Sequence, residues 1–280
     1  MSSRLSGLFD RIRANGAMID YRFGIGRLER LFFSKWFNPF ATFWLNFRSF
    51  PFCQAILFPV FVYGRPRMFA LSGRMRVDGK VRPGMIRFNS DAYGAPSNMG
   101  ASSEIINLGE ILFKGGGFIG TGNKIKLAQR AVLVLGNKFR ITDQCNISCE
   151  KRIEIGDESW IIHRSQVMDT NFHFVADLET MKVAPRSKPI KIGRHCWVSN
   201  TAIVMGGTVM PDYSILGSMS MINKDYSDCA EGTFFAGVPA RPRHNRLCRI
   251  DNLEIEKAIW IHFASNRDDF PLDGFSIEDF

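Results

Sequence analysis

Read in sixes from Lys191, the sequence places an aliphatic residue at every step: Ile192, Val198, Val204, Met210, Leu216 and Ile222. Gly193, Ser199 and Gly217 follow three of them, and small or turn-forming residues fill many positions between. A helix repeats near 3.6 residues and a strand near 2, so neither explains a strict six. A hexad repeat is a β-helix signature: each hexad gives a short strand and a turn, and stacked coils bury the aliphatic position. One coil cannot bury its own interior, so several must stack.

The same period runs earlier, less regularly. Ile119, Ile125 and Ala131 are six apart, as are Leu135, Ile141, Ile147 and Ile153, then Ile155, Ile161 and Val167. The register slips by two between Ile153 and Ile155, which predicts imperfect coils there. After Val167 the hexads stop, and they resume at Ile192. Residues 169–189 therefore form an insertion, holding Asp169, Asn171, His173, Asp177 and Pro185. A loop thrown from a repeat array costs closure entropy, and loops on rigid scaffolds often carry function.

The flanks differ in kind. Residues 1 to about 35 read as helical and amphipathic, with Leu5, Leu8, Phe9 and Ile12 on one face and Ser3 as N-cap, a break at Asn15-Gly16 and a second segment near Gly26 to Trp36. Residues 37–63 are crowded with aromatics, among them Phe40, Phe43, Trp44, Phe47, Phe50, Phe52, Phe58 and Phe61. Pro39, Pro51, Pro59 and Arg48 interrupt this stretch, so it is too short for the roughly 20 apolar residues of a spanning helix. Two readings stand: a cap over the open end of the β-helix or a subunit contact, and an interfacial anchor of Trp, Phe and Arg. From Arg65 to Asn89 short strands are expected at 68–71, 75–77 and 85–88, in a strongly basic run. Residues 91–103 read as a loop, 253–263 as a helix, and 268–280 as a loosely held acidic tail.

The 280 residues carry a net charge of +9, which suggests an anionic partner without naming it. The six cysteines show no disulfide framework for a chain of this length, and Cys145 and Cys149 lack a partner pair for zinc. Reduced core thiols imply a cytoplasmic protein. No His or Cys pair has metal-ligand spacing, so no metal is expected. Gly115–Gly117 lacks the residues of a nucleotide-binding loop and reads as a coil corner.

Ile192-Gly193-Arg194-His195-Cys196-Trp197-Val198, the hexads to Ile222, Asn223-Lys224-Asp225 and Gly237-Val238-Pro239-Ala240-Arg241 together resemble the hexapeptide-repeat acyltransferases. The last phrase departs from the family's Gly-Asn-Pro-Ala by carrying Val238. Met168-Asp169-Thr170-Asn171-Phe172-His173 is similar to the family's active-site histidine loop. The nearest subgroup is the bacterial galactoside, maltose, capsule and lipopolysaccharide O-acetyltransferases.

The resemblance implies a mainly β fold, a left-handed parallel β-helix over residues 64–245. Residues 1–63 form a helical and aromatic N-terminal region, and 246–280 a C-terminal helix and tail. It further implies a homotrimer with sites between subunits, acetyl-CoA as donor and a sugar or glycan hydroxyl as acceptor, with no nucleic acid. An N-acetyltransferase of an amino sugar, a longer acyl donor and a non-catalytic scaffold stand as alternatives. An acceptor on a lipid would place the chain peripherally at the inner face of the membrane.

A histidine of ordinary pKa, near 6.5, suits general-base removal of a hydroxyl proton. His173 takes this role by the resemblance. Asp169 either orients its imidazole or caps the loop's first turn. His163 reads as a groove residue, His195 as a surface or corner residue, and His244 and His262 lie outside the repeats. The resemblance places the pantetheine arm along Trp197, Asn200, Gly217 and Ser218. Lys224, Arg241 and Arg243 are the phosphate candidates.

Overall fold

The computed structural model describes residues 35–90, 101–244, 246–265, 268–272 and 274–280. The expected amphipathic helix at the N-terminus lies almost wholly outside these residues, as does most of the expected loop 91–103.

The aliphatic hexads fold as predicted, into a left-handed parallel β-helix. Each coil gives one short strand to each of three parallel sheets, here sheets A, B and C in the order the chain visits them. Sheet A begins at Val60–Val62, sheet B at Arg67–Phe69 and sheet C at Arg74–Val77. The β-helix thus starts a few residues before residue 64, where the resemblance begins, and the apolar run 55–63 supplies its first strand.

In-register pairing stacks like on like. In sheet A, Phe88, Ile119, Ile141, Ile161, Val198, Leu216 and Phe235 form one interior column. In sheet B the column is Met68, Ile105, Ile125, Ile147, Val167, Val204 and Ile222. Burying each such side chain contributes about 1.5–3 kcal/mol before entropy is charged. The slip at Ile153 and Ile155 has a plain cause: the four-residue strand Arg152–Ile155 points both inward, one coil layer using two alternate positions. Val204 pairs with Ile222 eighteen residues on, whereas Ile125 pairs with Ile147 twenty-two on. The N-terminal coils therefore hold extra residues, taken up in longer strands and corners.

Sharp corners need left-handed backbone. Between sheets A and B, Gln144, Arg164, Thr201 and Met219 all have φ near +60°. Between sheets C and A, Lys138, Glu158, His195 and Tyr213 do the same. None is glycine, so composition gives no warning of these corners. At the expected glycine corner, a Cβ on Gly117 would fall 2.1 Å from the Phe139 ring, which explains the absence of a side chain there.

Helix α1 (Pro39–Ser49) and the short α2 (Phe52–Ala55) cover the N-terminal end. The C-terminal end closes with an antiparallel hairpin, Phe234–Gly237 with Ala240–His244. Helix α3 (Leu253–Ser265) follows. The acidic tail is tied down more than expected: the Asp251 amide donates to the Phe280 carbonyl at 2.8 Å.

Candidate active site

The insertion leaves the β-helix where sheet B turns into sheet C. Asp169 stands at its first position, and only 1 % of it is exposed. One carboxylate oxygen accepts from the Glu150 amide at 2.7 Å. The other accepts from the amides of Lys151 at 2.7 Å and Arg152 at 2.8 Å. Three backbone donors of the preceding coil, left without ladder partners at a corner, thus share one buried anion. Asp169 makes no hydrogen bond to the His173 ring among the described residues. It pins the loop to the coil beneath, a role closer to the capping alternative than to the triad one.

Above it, Glu150 joins the two ends of the loop. Its carboxylate accepts from the Thr170 hydroxyl and pairs with the Arg186 guanidinium. The Thr170 hydrogen bond, followed by Arg186, holds the Glu150 carboxyl below the usual carboxylate range. The Asn171 amide donates to the Arg186 carbonyl, and Arg186 donates to the Phe172 carbonyl. The Arg186 guanidinium also lies 4.9 Å from the centre of the Phe174 ring. His173 sits between these two aromatics, exposed, with no ring hydrogen bond seen among the described residues. Beyond it, Ala176–Asp177 pairs antiparallel with Lys182–Val183 as a projecting arm. Glu150, Thr170 and Arg186 escaped sequence reasoning because the clamp spans 36 residues and belongs to no local pattern.

The residues assigned to coenzyme A divide into three places. Asn200 and Ser218 lie on successive corners between sheets A and B, the Met219 amide donating to the Asn200 carbonyl at 3.1 Å. Gly217 starts the upper corner, where a Cβ would fall 3.1 Å from the Phe234 ring. The hairpin reaches the same corner: the Gly237 amide donates to the Ser220 hydroxyl at 3.0 Å, and Arg241 pairs with Ala236 across the hairpin. Arg241 and Arg243 are exposed there. His163 shares this corner column, its carbonyl accepting from the Thr201 amide.

Trp197 belongs elsewhere, on the outer face of sheet A beside Trp160. Arg249, from the segment before α3, lies 3.3 Å over the Trp160 ring and 6.0 Å from that of Trp197. The C-terminal segment therefore covers part of the wall that the resemblance leaves open. The buried Trp197 Nε1–H finds no acceptor among the described residues, a state that a ligand oxygen would relieve. Lys224 is on neither surface. It follows the last strand of sheet B, on the same edge as loop 169–189. His195 is corrected too: it is a corner residue, but buried. It lies between Tyr213, Glu158 and the Arg249 carbonyl, which its Nε2 meets at 3.0 Å.

One chain thus puts His173 and the Asn200–Ser218 corner on opposite edges of sheet B. Its strands there are two to three residues long, so roughly 10 Å of sheet separates the two edges.

Repeat and coil order define a hexapeptide-repeat parallel β-helix with a histidine loop projecting from it. No protein-family model matches the chain. It is 23 % identical over 145 residues to WbbJ of Escherichia coli K12, assigned to O-acetyl transfer in lipopolysaccharide biosynthesis. That match covers 49 % of this chain and 72 % of the relative. Among solved structures, the polysialic-acid-specific acetyltransferase NeuO is similar at 18 % identity, with a TM-score of 0.43 over 71 % of this chain and 81 % of its own. The hexapeptide-repeat acetyltransferase VCA0836 of Vibrio cholerae, solved with acetyl-coenzyme A, is 21 % identical, with a TM-score of 0.35. That likeness covers 40 % of this chain and 60 % of its own. What fixes the fold is the strand order, not these likenesses.

Proposed function

We propose that this chain transfers an acetyl group from acetyl-CoA to a sugar hydroxyl in bacterial surface-polysaccharide or lipopolysaccharide synthesis. The observation that carries this reading is the clamped loop holding His173 out from one edge of sheet B. A small-residue corner on the other edge suits a pantetheine arm. The likeness to a lipopolysaccharide O-acetyl transferase supports the acceptor class.

In this reading the neutral His173 imidazole takes the hydroxyl proton as the sugar oxygen attacks the thioester carbonyl. The carbon–sulfur bond then breaks, and the imidazolium returns the proton to the departing thiolate. Coenzyme A and an O-acetyl sugar result. Asn200, Gly217 and Ser218 flank the arm, and Arg241 and Arg243 meet the phosphates. Because the two edges of sheet B face apart, His173 of one chain works with the corner of a neighbour. The enzyme is therefore a homotrimer by this reading. We place it in the cytoplasm with its donor, and at the membrane surface if the acceptor is lipid-linked.

The test is incubation of purified protein with labelled acetyl-CoA and surface-glycan fragments. An acetylated product that alkaline hydroxylamine cleaves is the expected result. A product resistant to hydroxylamine would mean amide formation on an amino sugar. Failure of acetyl-CoA to raise the melting temperature would leave only a scaffold.

A further inference from the structure

Helix α1 is amphipathic the wrong way round. Its inward face carries Thr42, Leu45, Asn46 and Ser49, all buried. Its outward face carries Phe40, Phe43 and Trp44, at the i, i+3 and i+4 spacing of one helix side.

The inward polarity has a cause. Val60–Val62 is the first strand of sheet A, so one side of its backbone has no strand to pair with. Asn46 receives the Val60 amide at 3.1 Å and donates to the Val60 carbonyl at 2.8 Å. The Thr42 hydroxyl receives the Val62 amide at 3.0 Å. The helix closes the exposed sheet edge with side-chain hydrogen bonds, as an open edge requires.

The outward face has no such partner among the described residues. Phe40 is 86 % exposed and Phe52, on α2, 73 %. Trp36, Phe37, Ile56, Leu57 and Phe69 extend the exposed apolar surface around the same end. A surface so rich in large apolar side chains marks a contact.

Charge says with what. Residues 35–90 hold nine Lys and Arg against one acidic residue, Asp78, while residues 91–280 carry a net charge of −2. Arg48 lies in the last turn of α1, and Arg65, Lys80 and Arg82 are exposed on the first coil beneath it. A second copy would bring like charge against like. The preceding residues 1–34 are themselves net positive. No described helix is long and apolar enough to span a bilayer, but α1 can lie flat in a headgroup layer with its aromatics down.

We propose that the N-terminal end of the β-helix docks on an anionic lipid surface, Phe40, Phe43, Trp44 and Phe52 entering the interface while Arg48, Arg65, Lys80 and Arg82 meet lipid phosphates. This does not depend on the acetyl-transfer reading, since binding is measured without turnover.

The experiment is sedimentation of the full chain with vesicles of phosphatidylcholine alone and of phosphatidylcholine with phosphatidylglycerol. Binding to the anionic vesicles is expected, with loss as salt is raised from 50 to about 500 mM. Arg48→Gln should weaken it about fivefold, the effect of one basic group near such a surface. Phe40→Ser/Trp44→Ser changes only exposed side chains, so the variant should melt like the parent and lose binding more than tenfold. Equal binding of that variant, or no binding to anionic vesicles at low salt, overturns the proposal. So does lipid-free self-association that the same double variant abolishes, which would make a second copy the occupant.

Discussion

Glu150 and Arg186 form an ion pair across the base of loop 169–189, and the Glu150 carboxylate also holds the Thr170 hydroxyl at the loop's other end. Because these contacts lower the Glu150 pKa from 4.5, they favour the closed loop at any pH above that ordinary value. The contribution is lost only as pH falls through the depressed value. The loop should stay closed across neutral pH and open in acid. Glu150→Gln should open it at pH 7, seen as faster hydrogen exchange of the Asn171 amide. If the loop carries the general base, turnover should fall about ten- to a hundredfold, the usual cost of misplacing a catalytic group. Unchanged exchange in Glu150→Gln would show that the clamp does not hold the loop.

Asp169 and His173, four residues apart, should separate stability from chemistry. Asp169→Asn leaves one oxygen for three amides and turns an NH2 toward backbone donors. A loss of roughly 2–4 kcal/mol is expected, the range for an unsatisfied buried network. His173→Ala removes an exposed ring, so its melting temperature should match the parent. Its turnover should drop by roughly two to four orders of magnitude with coenzyme affinity kept. Thermal melts beside steady-state kinetics read both. A destabilised His173→Ala, or an active one, would contradict the assignment.

The period of six made the β-helix legible, because every inward position must be apolar whatever the coil's neighbours do. The insertion was legible for the complementary reason: a gap in a strict repeat stands out. Less visible was everything set by two distant coils meeting. Asp169 reads as a loop acid until Glu150, Lys151 and Arg152 present their amides to it from the coil below. Trp197 reads as an open-wall residue until Arg249 folds back over Trp160. His195 follows the family phrase, yet its burial depends on Tyr213 and on the C-terminal segment. The inverted face of α1 shows why the aromatic stretch stayed ambiguous: Thr42 and Asn46 point inward only because Val60–Val62 ends a sheet.

The cysteines offer a check on the coil interior. Burial pushes the Cys145 and Cys196 thiols up to about 12, and it raises the Cys149 thiol still further with the help of the Asp169 charge. Thiolate is the reactive form, so these three should resist iodoacetamide at pH 8 in the native protein. Cys53 is exposed on α2 and should be alkylated first. All six should react in denaturant. Rapid native labelling of Cys145, Cys149 or Cys196, read by peptide mass spectrometry, would contradict the packing.

The proposed sharing of a site between chains has its own test. If His173 of one chain serves the Asn200–Ser218 corner of its neighbour, two different defects can be placed in different chains. Ser218→Glu puts a negative charge on an exposed corner, where it should repel coenzyme A without disturbing the coil. His173→Ala removes the base. Each variant alone should form an inactive trimer. Co-expressed in equal amounts, they should assemble at random, and a site works where an intact histidine meets an intact corner. That combination occurs at about one site in four in a closed ring of three. Activity near a quarter of the parent's is therefore expected from two inactive proteins. No recovery, with mixed trimers confirmed by native mass spectrometry, would mean that each chain builds its site alone. His173 would then have to reach the corner across its own sheet.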